Sequence, residues 1–229
     1  MRDCNSLKVL KSYVTILLLV FGYGIASAQI QTIQRPIIWD SLRIQLTQEY
    51  LQSRYGITSR DGTITPKMVV LHWTAIPSLQ ASFEAFNAPT LPNARADISG
   101  GGALNVSAHY LVDRDGTIYQ LMPETLMARH TIGLNHCAVG IENVGGTPET
   151  PLTKKQLRAN KYLIRSLANN YPIEYVIGHY EYTNFENHSL WLERDTKYRT
   201  TKIDPGEDFM RKIKRGIQKT GIKSAPANL

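Results

Sequence analysis

Two short strand-like segments do most to limit what this chain can fold into. Lys67 to Trp73 is an apolar run that reads as a buried strand, and Ala138 to Val144 reads as another strand, closed by Gly145-Gly146. Helical patterns flank them. Ser78 to Asn87 is opened by Pro77 and Ser78. Thr153 to Asn170 sets Leu157, Ile164, Leu167 and Ala168 on one face, with Thr153 as N-cap. Val106 to Val112 and Thr117 to Met122 read as strands joined through Asp113-Arg114-Asp115-Gly116, whose Asp-Gly pair favours a hairpin. Tyr175 to Ile177 is a short strand leading to Gly178-His179. Leu42, Leu46, Tyr50 and Leu51 recur at helical spacing, and Asp208 to Lys219 reads as a final helix. Two prolines and Gly100-Gly101-Gly102 make 88–105 a mobile loop, and the polar, aromatic stretch 180–203 reads as a loop. Strands alternating with helices, with one hairpin, predict a single α/β (α+β) domain: a central mixed β-sheet flanked by helices.

The first residues are of a different kind. Lys8 and Lys11 precede an apolar run from Tyr13 to Tyr23, followed by Ala26-Ser27-Ala28. That order is a secretory signal peptide. A retained anchor is the alternative, but the run falls short of the ~20 residues a span needs. Cys4 lies before the run, which does not suit a lipoprotein. The expected division is a signal peptide at 1–28, an N-terminal extension at 29–64, a main domain at 65–220 and a basic tail at 221–229. The mature protein is expected to be exported, periplasmic or secreted, with no stable membrane anchor. Cleavage removes three cations and one acid, so the formal net charge falls from +7 to +5, and it leaves Cys137 as the one cysteine. No intrachain disulfide is then possible. The basic balance suggests an anionic partner. A nucleic-acid partner is not expected, since the chain has no aromatic–basic strand pattern and no recognisable binding motif.

The histidines are the place to look for chemistry. His72 ends a buried strand, His179 follows another, and Asp204 sits in Lys202-Ile203-Asp204-Pro205-Gly206. Strand ends converge on one rim of a sheet, so the three can share a metal there. Two neutral imidazoles and one carboxylate suit Zn2+, with bonds of ~2.0–2.2 Å and a fourth position open for water. Such a site lowers the pKa of bound water to about 7. By spacing alone the signal is weak, because a histidine at a strand end is more often packed or solvated.

Six segments sharpen it: Val69-Val70-Leu71-His72-Trp73-Thr74, Val106-Ser107-Ala108-His109-Tyr110-Leu111-Val112, Asp115-Gly116-Thr117-Ile118-Tyr119-Gln120, Gly140-Ile141-Glu142, Ile177-Gly178-His179 and Lys202-Ile203-Asp204-Pro205-Gly206. In that order, over roughly 65–215, the chain resembles the zinc-dependent N-acetylmuramoyl-L-alanine amidases of the amidase-2 type. That family includes anhydro-muropeptide amidases, phage amidases and animal peptidoglycan recognition proteins. The resemblance implies zinc on His72, His179 and Asp204. It also implies Glu142 as general acid/base and Lys202 as stabiliser of the oxyanion. The substrate it implies is peptidoglycan or a muropeptide, cut between N-acetylmuramic acid and L-alanine. Members that bind without cutting leave a binding module open, and a zinc peptidase acting within the stem peptide is another alternative. The segment around His130 and Gly133-Leu134-Asn135-His136 resembles the family's groove lining, so His130 and Asn135 are expected to contact glycan or peptide. Arg129 could pair with a peptide carboxylate or be solvated. His109 is expected to support the site and His136 to be exposed. A monomer is expected.

Two departures stand out. Ala108 lies where phage and animal relatives have tyrosine, which leaves the proton work to Glu142. Compact members place the last two ligands about ten positions apart, whereas Tyr180, Tyr182, Phe185, His188, Trp191, Leu192 and Tyr198 lie between His179 and Asp204 here. That stretch reads equally as a lid, a glycan-stacking wall or a local packing element. His188 is an alternative ligand.

Overall fold

The two strand-like segments become adjacent strands. The computed structural model describes residues 31–93 and 96–227, so the expected signal segment lies outside the described residues. In chain order the elements are β1 (Thr32–Gln34), α1 (Ser41–Tyr50), β2 (Met68–Trp73), α2 (Leu79–Asn87), β3 (Tyr110–Val112), β4 (Ile118–Gln120), β5 (Ala138–Asn143), α3 (Lys154–Asn170), β6 (Tyr175–Gly178) and α4 (Glu207–Ile217). They form one sheet in the order β1-β4-β3-β5-β2-β6. β2 lies between β5 and β6 and runs parallel to both. β3 is parallel to β5 and antiparallel to β4 through the expected hairpin. The sheet is therefore mixed, with helices packed on it.

The period of two along a strand sorts the core into two faces. Val69, Leu71, Val139, Ile141 and Val176 pack with Leu163, Ile164 and Leu167 of α3 and Phe209, Met210 and Ile213 of α4. Met68, Val70, Ala138 and Ile177 pack on the other side with Tyr182, Phe185 and Tyr198. His72 is in step with Met68 and Val70, so it emerges on this second face, at the C-terminal end of β2. Glu142 is its register partner on β5.

Two differences from the sequence reading have local causes. The strand expected over 106–112 is regular only over Tyr110–Val112. Ahead of it the backbone changes partners: the Ser107 N–H donates to the Arg129 carbonyl at 2.9 Å and the His109 N–H to that of Gly140 at 3.1 Å. The segment set apart as an extension is built into the domain. β1 pairs with β4, and Tyr50, Leu51 and Tyr55 share a buried cluster with Leu104 and Met127. Arg43 of α1, fully buried, donates to the carbonyls of Phe86, Asn87 and Ala88 at 2.9, 3.0 and 2.6 Å. It thereby satisfies the orphan acceptors at the end of α2.

The stretch after His179 is a packing element. It opens with a 3-10 turn, His179–Phe185, and its Tyr182, Phe185 and Tyr198 are buried in the second cluster. His188 bonds Tyr175 Oη through Nε2 at 3.1 Å and takes no part in the ligand group. The two ends of the stretch meet, with the Tyr180 N–H donating to the Asp204 carbonyl at 3.1 Å. Among the described residues no helix is long and apolar enough to cross a membrane.

Candidate metal centre

Three elements bring the predicted ligands together. His72 comes from the end of β2, His179 from the first residue after β6, and Asp204 from the turn before α4. His72 Nδ1 lies 3.0 Å from His179 Nδ1 and 3.2 Å from Asp204 Oδ2, and His179 Nδ1 lies 3.0 Å from the same oxygen. All three residues are buried. Ligands at ~2.0–2.2 Å around a tetrahedral ion stand ~3.3–3.6 Å apart. The observed triangle is slightly tighter, and a small outward movement suits it to Zn2+. The donor set is also right in kind, since imidazole nitrogen and carboxylate oxygen are both zinc ligands.

The electrostatics agree. The pKa of His72 is lowered to about 4, first by burial and then by the facing His179, with the Lys202 charge adding to the effect. Burial by itself would raise that of Asp204, but the facing His179 and His72 hold it well below the usual carboxylate range. The ring that would bind metal is thus neutral and the carboxyl ionised, which are the ligating forms.

A cleft opens beside the triad. Glu142, Lys202, His130, Trp73, Tyr198 and Thr200 are among the residues that line it. The predicted ligands and both predicted catalytic residues therefore face one space. Tyr50, from the segment set apart as an extension, also lines it. Nothing in the sequence pattern links Tyr50 to the site, because the chain distance is bridged only by tertiary packing.

Of the residues expected to hold substrate, His130, Asn135 and Arg129 line the same cleft, and each is bonded within the protein. Asn135 is fully buried. Its Oδ1 accepts from the backbone N–H groups of His130 and Thr131, and its Nδ2 donates to Tyr50 and Tyr55. Arg129 donates to the carbonyls of Gly102, Leu104 and Ile98 and to Tyr198 Oη. It ties down the glycine-rich loop that the sequence suggested was free. His109 accepts from the Gly140 N–H at Nδ1 and donates to the Leu126 carbonyl from Nε2. Asn135 and Arg129 belong to the wall of the cleft, and all three side chains have their partners inside the protein. His130 spends Nδ1 on His72 at 3.0 Å and Nε2 on the Ala138 carbonyl at 3.2 Å. His136, expected to be exposed, is half-buried against the Tyr55 ring. Cys137 is a buried thiol, pushed up to about 12 by desolvation.

Comparison with known proteins adds to this geometry. Residues 47–207 match the family model described as N-acetylmuramoyl-L-alanine amidase. An endolysin of Enterobacteria phage K11 is 29% identical over 85 residues, which is 35% of this chain and 56% of that protein. Peptidoglycan recognition protein 3 of Mus musculus is 30% identical over 86 residues, 35% of this chain and 24% of its own length. The chain thus matches about half the length of the phage relative and a quarter of the mouse one. Among solved structures, the N-acetylmuramoyl-L-alanine amidase LysC from Clostridium intestinale URNW shares the fold, with a TM-score of 0.51. Its sequence identity is 21%, and the likeness covers 84% of this chain and 99% of that one.

Proposed function

The chain belongs to the N-acetylmuramoyl-L-alanine amidase family, and on that premise we propose that it is an exported, zinc-dependent hydrolase. The bond it cuts is the amide between N-acetylmuramic acid and L-alanine, in peptidoglycan or in soluble muropeptides. The observation that carries this reading is the convergence of His72, His179 and Asp204 in a cleft that Glu142 and Lys202 also line. When bound there, zinc supplies a Lewis acid that polarises the amide carbonyl and acidifies water.

The chain's own residues do the rest. The Glu142 carboxylate takes a proton from the attacking water and passes it to the departing amide nitrogen. The C–N bond breaks as the new C–O bond is kept, and the products are a lactyl carboxylate and a free L-alanine amine. The Lys202 ammonium stabilises the negative charge that develops on the carbonyl oxygen. A carboxylate-bearing wall polymer suits a basic protein as its anionic partner.

Digestion of purified sacculi and soluble muropeptides, with and without chelator and read by mass spectrometry, tests the reading. Stem peptides beginning with free L-alanine are expected, and chelator should abolish them. Glu142→Ala should slow turnover ~10²–10⁴-fold, the usual contribution of a general acid/base. Turnover by that variant or by Asp204→Ala at the wild-type rate overturns the assignment, and cuts inside the stem peptide would make the protein a peptidase. The likeness to a peptidoglycan recognition protein favours a second reading, a module that binds without cutting. Tight binding of muropeptide with no product, zinc present, would establish it.

A further inference from the structure

The His72 ring does not stand alone behind its metal-facing nitrogen. Its Nε2 lies 3.0 Å from His130 Nδ1, and His130 Nε2 lies 3.2 Å from the Ala138 carbonyl. A carbonyl oxygen only accepts, so His130 carries its proton on Nε2. In a neutral imidazole the other nitrogen is then an acceptor. His130 Nδ1 must therefore accept from His72, which puts the His72 proton on Nε2 and leaves its Nδ1 lone pair bare. That lone pair faces His179 Nδ1 and Asp204 Oδ2. The chain of bonds is directional, and it is anchored in the backbone of β5.

Room for the His130 ring comes from a glycine. A Cβ at Gly140 would lie 2.8 Å from His130 Cγ and Cδ2 and 3.0 Å from its Nδ1. The Gly140 backbone is itself held, because its N–H donates to His109 Nδ1 at 2.9 Å.

We propose that His130 is a positioning residue that fixes the tautomer and orientation of His72, and that Gly140 is glycine because any side chain would push the His130 ring out of that place. The inference rests on reading His72 as a metal ligand. Partners of this kind typically contribute 10–100-fold to metal affinity.

Two measurements test it. Long-range 1H–15N spectra of the zinc-loaded wild-type protein at neutral pH should show His72 and His130 each protonated on Nε2, and a His130 protonated on Nδ1 overturns the proposal. In zinc competition against a chromogenic chelator, His130→Phe and Gly140→Ala should bind ~10–100-fold more weakly than wild type. His130→Asn, which sets a carbonyl oxygen near the lost Nδ1, should recover most of that affinity. Wild-type affinity in His130→Phe overturns the proposal. Should that variant fail to fold, Gly140→Ala and the wild-type spectrum decide. A wild type that does not bind zinc removes the amidase reading and this one together, whereas a zinc-binding wild type with unaffected variants removes only the positioning role.

Discussion

Burial keeps several imidazoles of this protein uncharged. His72, His109 and His136 are each lowered to about 4, in every case chiefly by desolvation. In the unfolded chain they titrate near 6.5. Between those values the unfolded state binds more protons than the folded one, so stability falls as pH drops through that window. For His109, which is fully buried, the share is ~3 kcal/mol at most between pH 7 and pH 4. Urea denaturation of the chelated protein should therefore show a steeper loss below pH 6.5 in wild type than in His109→Asn. Equal slopes would show that His109 has no part in it. The residues at this scale were unequally legible in sequence. His72, His179 and Asp204 could be named because they stand at strand ends and in family motifs. His130 could be noticed but not understood, since its partner is 58 positions away and the clue was a glycine in mid-strand.

Helix α3 shows how an element is fixed at its start. The Thr153 Oγ1 accepts from the Gln156 N–H at 3.1 Å, and Gln156 Oε1 accepts from the Thr153 N–H at 2.9 Å. This reciprocal cap answers two of the orphan donors of the first turn. Gln156 Nε2 also donates to the carbonyls of Val112 and Val144, which joins the cap to the ends of β3 and β5. Replacing Thr153 by alanine should cost ~1 kcal/mol in chemical denaturation, with Thr153→Ser close to wild type. A Thr153→Ala midpoint unchanged from wild type would show that the cap does not hold the helix. Elements with a strong local signal were readable: the two strand-like segments, the Asp-Gly hairpin and the amphipathic α3. β1 was not, because three residues at a sheet edge carry no period of their own. The aromatic stretch after His179 was ambiguous for a related reason. Tyr182 and Phe185 look alike in sequence whether they pack inward or await a ligand, and only the second core cluster decides it.

At the scale of the whole molecule, the ligand triad ties distant parts of the chain. His72 and Asp204 are 132 positions apart, and His72 and His179 are 107 apart. An ion that binds only the folded arrangement stabilises it by mass action, ~2.7 kcal/mol at a free concentration of 100 Kd. Thermal unfolding should shift upward as zinc is added and return with chelator, and Asp204→Asn should blunt the response. A wild-type midpoint indifferent to zinc would show that the ligands are not a metal site. The hydrogen bond between the Tyr180 N–H and the Asp204 carbonyl has a different kind of consequence. The excursion between the last two ligands leaves and returns at nearly one point, so its contour length is decoupled from the spacing of the donors. Doubling a closed loop adds only ~0.6 kcal/mol of closure entropy. Length can therefore be added or removed at its exposed 194–197 while the donors stay in register, whereas Tyr182, Phe185 and Lys202 of the same segment, held in the core or lining the cleft, have to stay.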